Sequence, residues 1–375
     1  MTRPGGAAPP LGESLADRAE ALCAVPSPIG EERALCDEVE RWARQRFPGA
    51  RRIKNSLVVP VDAAPGAGGA AGGDPGRPLL ALCGHLDTVP IHRQDQGKPP
   101  ARAGAKIVAP GCSDMKSGLA VAMELAERLP RAERFADLLL VLYAREEGPY
   151  LENELSDVLR EAPELSRAAL AVCLEPTDNR LMLGCMGSIH ATLRFEGRSA
   201  HSARPWQGEN AVHKAGNLLA DLARTEPREA VSGGLVYREV VSVTRIEGGR
   251  ARNVLPDVCT LNLNFRFAPD KGVEKASEEL FALGRRFGAE VELTDLSPAC
   301  PAFAEHPLVE RLRARSGASV EPKQAWTDVA RLAQAGIPAV NFGPGATDQA
   351  HQQGEWVLVE AIETSYRLLE AFLRP

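Results

Sequence analysis

Three short runs of consecutive apolar residues constrain the fold of this chain more than any other feature of its sequence. They are LLALCG at 79–84, LLLVLYA at 138–144 and ALAVCL at 169–174. Because these runs carry no polar side chains on either face, both faces must be covered, as in the strands of a parallel sheet. Helical segments alternate with the runs, so the pattern predicts an α/β domain with a central, mostly parallel sheet flanked by helices.

The N-terminal part of the chain adds two predicted helices within 12–47 and a strand at 57–61. A tract of Gly, Ala and Pro at 63–76 separates this strand from the first apolar run and cannot bury a core. We interpret the tract as the flexible loop of a hairpin that joins the two strands.

Further along the chain, apolar and polar residues begin to alternate. Residues 189–195 and 259–265 have a period of two, which is typical of strands with one buried and one wet face. Predicted helices and strands between and after them give the order strand, helix, strand, strand, helix, strand. That order predicts a ferredoxin-like α+β domain over 185–297, inserted into a larger α/β domain made of 1–184 and 298–375.

Composition argues against several classes of function. Lys and Arg number 44 against 50 Asp and Glu, whereas a nucleic-acid-binding domain is usually basic. No apolar run reaches the roughly 18 residues that a membrane span needs, and the first residues lack the apolar segment of a secretory signal. The 8 cysteines form no Cys-x-x-Cys pair, so we expect buried, reduced thiols. Together these features favour the cytoplasm.

Polar side chains directly follow the three apolar runs. His85 and Asp87 come after the first run, Glu146 and Glu147 after the second, and Glu175 after the third. Because ligands bind beyond the carboxyl ends of strands in open α/β sheets, we expect these side chains to meet at one edge of the sheet.

Asp114, just before a predicted helix, and His351, in a Gly- and Pro-rich loop, extend this set. Each residue alone has an ordinary explanation, such as a helix N-cap for Asp114 or a solvated turn for His85. Together, two imidazoles and three carboxylates are enough to bind two metal ions about 3.5–4 Å apart that share a bridging carboxylate. Of the adjacent Glu146 and Glu147, one can bind a metal while the other takes a proton.

An ordered set of motifs across most of the chain resembles the dinuclear-zinc aminoacylase/carboxypeptidase family of metallohydrolases. The motifs are GHLDTVP, GCSDMKSG, REEG, LEPT, GRSAHSARPWQGENAVHK, RNVLPD, NFRFAPD, AWTDVARL and GIPAVNFGPG. The resemblance implies two Zn²⁺ per chain, with Co²⁺ possible in one position. It implies His85 and Glu175 as ligands of the first metal, Glu147 and His351 as ligands of the second, and Asp114 as the bridging carboxylate.

The same resemblance assigns catalytic and binding roles to other positions. Asp87 would orient His85, and Glu146 would be the general base that takes a proton from the attacking water and returns it to the leaving amine. His201 would be a lid histidine that reaches the partner subunit's site and stabilises the oxyanion. The residues implied in substrate binding are Ser188, Asn253, Arg266 and Thr327.

The inserted domain at 185–297 would then serve as a lid and form a homodimer. The implied reaction is hydrolysis of the amide bond of N-succinyl-LL-2,6-diaminopimelate to succinate and LL-2,6-diaminopimelate, a step towards lysine and peptidoglycan precursors. Deacetylation of acetylornithine, an aminoacylase or a dipeptidase activity are alternatives within the family. A non-catalytic dimeric binding protein on the same scaffold is an alternative of another kind.

One position departs from the pattern of this family. Met186 stands in GCMGS where some members carry an arginine before the Gly-Ser pair. One expected contact to a substrate carboxylate is therefore missing, and Arg204 is a candidate replacement.

Overall fold

The computed structural model describes residues 10–62 and 76–375. The chain divides into two compact units, of which the first takes the residues up to 183, 303–321 and 327–375. The second takes 184–302 and 322–326. The short return at 322–326 is held to the second unit by Gln324, whose side chain accepts a hydrogen bond from the Arg238 amide and donates one to the Arg238 carbonyl. No pattern in the sequence indicates this return.

The described residues form helices and strands that are numbered in chain order. The helices are α1 Leu11–Cys23, α2 Arg33–Arg46, α3 Ser117–Arg128, α4 Leu155–Glu161, α5 Ala211–Leu222, α6 Val273–Phe287, α7 Pro307–Ser316, α8 Val329–Gln334 and α9 Val359–Leu373. The strands are β1 Arg51–Ile53, β2 Ser56–Pro60, β3 Leu79–His85, β4 Ala101–Ala103, β5 Lys106–Val108, β6 Asp137–Tyr143, β7 Ala168–Cys173, β8 Leu181–Leu183, β9 Gly187–Glu196, β10 Arg228–Ser232, β11 Leu235–Gly248, β12 Val258–Phe267, β13 Glu290–Ser297, β14 Val320–Pro322, β15 Ala339–Asn341 and β16 Trp356–Leu358.

The first unit is built on a mixed sheet with the strand order β1-β2-β6-β3-β7-β15-β8-β14. The predicted apolar runs are its central strands β6, β3 and β7, which run parallel, and β15 joins them in parallel. Every residue of β3 and β6 is buried, which is why their sequences show no alternation. The α/β prediction is therefore confirmed, with parallel pairing from β6 through β3 and β7 to β15.

The predicted hairpin between the strands that flank the Gly/Ala tract is wrong. β2 does not pair with β3, because β6 lies between them and pairs with both. A connection across an intervening strand cannot be a hairpin loop. Residues 63–75 of the tract lie outside the described residues.

Helices cover this sheet, and a buried carboxylate links two of them. α1, α3, α7 and α9 pack on one another. Glu124 of α3 is 1% exposed and accepts hydrogen bonds from Ser14 (2.6 Å) and Arg18 (2.9 Å) of α1. Arg128 of α3 is also bound to this carboxylate.

The second unit has a five-stranded antiparallel sheet with the order β10-β11-β12-β9-β13. Without the added edge strand β10, the order of β11, β12, β9 and β13 is that of a ferredoxin-like fold, as predicted. Ile189, Leu193, Leu261 and Phe265, the apolar members of the alternating segments, lie in its core. The opposite members form a polar face.

A small antiparallel sheet of β4, β5 and β16 lies in the first unit. In it Trp356 pairs with Val108, and the Ala109 amide donates to the Glu355 carbonyl at 3.0 Å. The sheet thereby brings the C-terminal loop beside the segment that leads to Asp114.

All 8 cysteines are free and buried, as expected from the sequence. Within the described residues, none of the helices combines the length and apolar character needed to cross a membrane.

Candidate active site

The carboxyl ends of the central parallel strands bring three of the predicted side chains to one edge of the sheet. His85 is the last residue of β3, opposite Tyr143 of β6. Glu146 follows β6 and Glu175 follows β7 within a few residues. His85 and Glu175 are 1% and 4% exposed, so imidazole and carboxylate are enclosed together.

Asp114 lies on a wide turn, Cys112–Lys116, that leads into α3. The turn packs tightly on its neighbours where glycines leave room. A Cβ added at Gly118 would lie 2.3 Å from the Leu174 carbonyl oxygen, and one at Gly345 would lie 2.1 Å from the Ser113 carbonyl oxygen. These close approaches hold Asp114 near the end of β7 and near the loop that carries His351.

His351 adopts a left-handed backbone conformation, with φ of 63°. Its loop contacts the Asp114 turn through a hydrogen bond of 3.1 Å from the Ser113 hydroxyl to the Ala346 carbonyl. Its side chain is 52% exposed, so this histidine is at the mouth of the site, whereas His85 lies at its base.

The two carboxylate oxygens of Asp114 face two different histidines. Oδ1 lies 3.1 Å from Nε2 of His85, and Oδ2 lies 3.5 Å from Nε2 of His351. Nε2 of His351 also lies 3.0 Å from Oε1 of Glu147. A carboxylate placed in this way can bridge two cations.

The described residues contain three groups whose candidate ligand atoms lie within 4.8 Å of one another. One group is His85, Asp114 and Glu175, and a second is Asp114, Glu147 and His351. The third is His85, Glu146 and Glu147. The first two share Asp114, and their nitrogen and oxygen donors without thiolate suit Zn²⁺ or a similar borderline cation.

Asp87 holds the neighbouring backbone and the His85 ring. Its carbonyl oxygen lies 2.9 Å from Nδ1 of His85, whereas its carboxylate Oδ1 is 3.7 Å from the same nitrogen. The carbonyl can accept from Nδ1–H, and in that neutral tautomer Nε2, directed at the cluster, is the nitrogen available to a cation. The other carboxylate oxygen of Asp87 accepts a bond of 2.9 Å from the Glu147 amide.

The concentration of carboxylates in this buried space perturbs the charges of its members. Burial, with the charges of Glu175 and Glu147, raises the pKa of Glu146 well above its ordinary value. The hydrogen bond to Glu147 raises the pKa of His351 to about 9. Although burial opposes it, the bond to Asp114 raises the pKa of His85. The cluster therefore has an excess of negative charge that favours bound cations.

The sequence analysis missed Glu355. This residue is 5% exposed, and its carboxylate accepts hydrogen bonds from the amides of Gly111, Ser113 and Asp114. Burial raises its pKa to about 7. A glutamate before a short strand looks like an ordinary surface residue, so no sequence pattern could have identified it.

Of the predicted substrate contacts, Ser188 and Arg266 lie in register on β9 and β12, on the polar face of the second unit. Asn264 joins them, because its side chain donates to the Ser188 hydroxyl at 3.2 Å and accepts from Nε of Arg266 at 2.9 Å. Asn264 Nδ2 also lies 2.9 Å from Nε2 of His190. Burial lowers the pKa of Arg266. Asn264, which lies in the NFRFAPD motif, and His190 extend this polar cluster beyond the residues implied in substrate binding.

His201 and Asn253 are brought together in another part of the second unit. Both are exposed, and the segments that carry them pair through a bond of 3.0 Å from the Ser202 amide to the Asn253 carbonyl. Nδ1 of His201 accepts from the Ala203 amide at 3.0 Å, which leaves Nε2 as the nitrogen that can face a ligand. Arg204 is exposed on the same loop.

Met186 is fully buried in a small core with Tyr237 and Ala268 of the second unit. A side chain in this position is covered by the β10–β11 hairpin and packs as a core residue. Thr327, the remaining predicted contact, belongs to the first unit, is 3% exposed and donates to the Asn341 side chain at 2.9 Å.

Residues 81–374 match the family described as peptidase family M20/M25/M40. A Mycobacterium tuberculosis protein provisionally named succinyl-diaminopimelate desuccinylase DapE is 38% identical over 94% of this chain and 96% of its own length. A Corynebacterium glutamicum succinyl-diaminopimelate desuccinylase is 34% identical over 94% of each protein. An acetylornithine deacetylase of Myxococcus xanthus is 31% identical over 84% of this chain and 83% of its own length.

Solved structures share the fold. The aminopeptidase PepT of Bacillus cereus superposes with a TM-score of 0.74 over 96% of this chain and 98% of its own, at 18% identity. The Bacillus subtilis protein YXEP, described as a dinuclear metal binding peptidase, gives a TM-score of 0.65 over 96% of this chain and 97% of its own, at 17% identity. At these identities the likeness establishes the fold alone.

Proposed function

The chain belongs to peptidase family M20/M25/M40, and from that premise we propose that it hydrolyses N-succinyl-LL-2,6-diaminopimelate to succinate and LL-2,6-diaminopimelate. The family is metal-dependent. The observation that carries the proposal is the position of Asp114, whose two oxygens face His85 and His351 separately. The substrate is suggested by the names of relatives that are 34–38% identical over nearly the whole chain.

We propose two Zn²⁺ per chain, with Co²⁺ as a possible occupant of one position. His85 and Glu175 would hold the first ion, Glu147 and His351 the second, and Asp114 both. The two groups of ligand atoms that share Asp114 support this partition. When bound, such ions polarise an amide carbonyl and activate water.

Glu146 would act as the general base and acid of the reaction. Its carboxylate lies within 4.8 Å of ligand atoms of His85 and Glu147, close enough to reach a water held between them. It would take a proton from the attacking water and return it to the departing amine. Asp87 would keep the His85 ring in the tautomer described above.

The second unit would supply the remaining contacts as a lid and as the interface of a homodimer. The exposed imidazole of His201 would stabilise the oxyanion, and Asn253 on the paired segment would bind substrate. Ser188 and Arg266 would bind a substrate carboxylate, for which a guanidinium in a polar cluster is suited. Thr327 would complete the set. We propose 185–297, the limits predicted from the sequence, as the limits of this lid domain.

The cytoplasm remains the expected location. The 8 free cysteines support it, since thiols stay reduced there.

Deacetylation of acetylornithine is the second candidate activity. The Myxococcus xanthus relative favours it, and so does Met186, because this buried side chain cannot replace an arginine that binds a second carboxylate. Arg204, exposed on the His201 loop, is the residue we propose in its place for a succinylated substrate.

A panel of N-acyl amino acids on the zinc-loaded enzyme tests the proposal. We expect the highest kcat/KM for N-succinyl-LL-2,6-diaminopimelate, and values at least tenfold lower for acetylornithine and for dipeptides. Glu146→Gln, purified in the same way, gives the background rate of contaminating hydrolases. A higher kcat/KM for acetylornithine than for the succinylated substrate would overturn the assignment.

A further inference from the structure

We propose that Glu355 is a positioning residue that fixes the Asp114 turn in the shape that binds metal and ties it to the His351 loop. This inference rests on the proposed function, because it assigns the cluster around Asp114 to metal ions. It concerns a residue that does not itself belong to any group of ligand atoms in the described residues.

Three backbone amides of the Asp114 turn converge on the single carboxylate of Glu355. Oε1 accepts from the amides of Ser113 at 2.6 Å and Asp114 at 2.8 Å, and Oε2 accepts from Gly111 at 2.7 Å. Hydrogen bonds from amides to a carboxylate are short and strong, and successive amides that point inward form a concavity for an anion. Here the anion is a side chain of the same protein.

The conformation of the turn explains why it needs such a partner. Gly111 is left-handed, with φ of 74°, and Asp114 and Met115 depart from helical angles, with ψ of 95° and 34°. A backbone of this shape does not satisfy its first amides through a regular helical ladder, and a buried amide without an acceptor costs about 1–3 kcal/mol. Glu355 supplies the acceptor at the residues that set the direction of the Asp114 side chain.

Glu355 also connects this turn to His351, a candidate ligand of the second metal. It lies four residues after His351 in the same loop, and its own carbonyl accepts from the Ala109 amide at 3.0 Å. The preceding Gly354 amide donates to Asp95 at 2.8 Å. One end of the His351 loop is thus held against the segment that carries Asp114.

Glutamine in this position could not reproduce the arrangement. Its side chain has one acceptor oxygen and one NH₂ group, which can only donate. If the oxygen takes the place of Oε1, the NH₂ group faces the Gly111 amide, and in the flipped orientation it faces two amides. Either way a donor meets a donor, and the negative charge is lost.

The test compares metal binding of Glu355→Gln with that of Glu154→Gln. Glu154 is a matched control in the same unit, because it is also 5% exposed and accepts from a backbone amide, that of Asn55, at 2.9 Å. Metal-free proteins are titrated with Zn²⁺ against a competing chelator, and the visible absorption spectrum is recorded after loading with Co²⁺. We expect Glu355→Gln to bind Zn²⁺ about 10–100-fold more weakly, with an altered Co²⁺ spectrum, and Glu154→Gln to match the wild type.

Wild-type affinity and an unchanged Co²⁺ spectrum in Glu355→Gln would overturn the proposal. If that variant does not fold, Glu355→Asp decides, because it keeps the charge but cannot reach all three amides and should bind Zn²⁺ less tightly. In the metal-free wild type, rapid hydrogen exchange of the Ser113 and Asp114 amides would also contradict the proposal. Metal affinity is measured without substrate, so a panel that favoured acetylornithine would leave this inference intact.

Discussion

Replacing Gly118 with alanine is expected to destabilise the first unit and to weaken metal binding. Gly118 is the second residue of α3, and a Cβ added there would lie 2.3 Å from the Leu174 carbonyl oxygen and 2.9 Å from the Leu174 Cβ. Carbon atoms in ordinary contact are about 3.5–4 Å apart, so the helix and the end of β7 must separate by roughly 1 Å. Since Glu175 directly follows Leu174, this movement displaces a candidate metal ligand.

The size of the effect follows from the obstacle that the new methyl group meets. Forcing an extra carbon into a packed site lowers the free energy of unfolding by about 1–3 kcal/mol. The better helix propensity of alanine offsets at most about 1 kcal/mol of this loss. Gly12 is also the second residue of a helix in the same unit, but a Cβ there would meet only the end of the Glu363 side chain, at 2.9 Å. The difference between Gly118→Ala and Gly12→Ala therefore isolates the contact with Leu174.

Urea unfolding of the metal-free proteins, followed by far-ultraviolet circular dichroism, measures this difference, and Zn²⁺ titration measures the effect on the site. We expect Gly118→Ala to unfold at lower urea and to bind Zn²⁺ several-fold more weakly, whereas Gly12→Ala should equal or exceed the wild type. Equal midpoints for the two variants, together with unchanged Zn²⁺ affinity, would refute the packing argument.

Three further predictions concern the base, the substituted lid position and acid stability. Glu146→Gln should retain wild-type Zn²⁺ content while kcat falls about 10²–10⁴-fold in a succinate-release assay; a smaller loss would contradict the role of general base. Met186→Arg should not restore a substrate contact but should lower the thermal stability of the second unit, because the charge would enter the core with Tyr237. The control Val231→Arg, at a 67% exposed position, should leave the thermal stability unchanged. Although burial opposes it, the hydrogen bond from Ser14 and the charges of Arg18 and Arg128 lower the pKa of Glu124 below its ordinary value of 4.5. The ionised Glu124 carboxylate therefore stabilises the fold above pH 4.5, and this stabilisation is lost as the pH falls through the lower pKa of the folded protein. Glu124→Gln should therefore unfold more readily than wild type by about 1–3 kcal/mol near neutral pH, with the gap closing in acid; a gap that did not narrow would contradict the assignment.

Local patterns were sufficient to predict the elements of the fold but not the arrangement of all strands. Continuous apolar runs predicted β3, β6 and β7, because a strand covered on both faces needs such a sequence. They could not show that β6 enters between β2 and β3, since pairing between distant segments has no signature in either strand. For the same reason, the sequence did not indicate that residues 322–326 belong to the second unit.

The candidate site divides in a similar way. His85, Glu146 and Glu175 could be expected to meet, because parallel strands end at one edge of the sheet. Asp114 and His351 come from turns, so their residue types made them candidates but no strand pattern placed them beside the others, and the ordered motifs strengthened the connection. Glu355 binds backbone amides, which every residue possesses, so its role depends on a turn geometry that the sequence does not reveal.

Anomalous X-ray diffraction at the zinc absorption edge, from crystals of the zinc-loaded protein, tests most directly whether the cluster around Asp114 is a dinuclear metal centre. We predict two peaks about 3.5–4 Å apart, the first bound by His85 and Glu175, the second by Glu147 and His351, and both by Asp114. A single peak at full zinc loading, or two peaks of which neither contacts Asp114, would contradict the account.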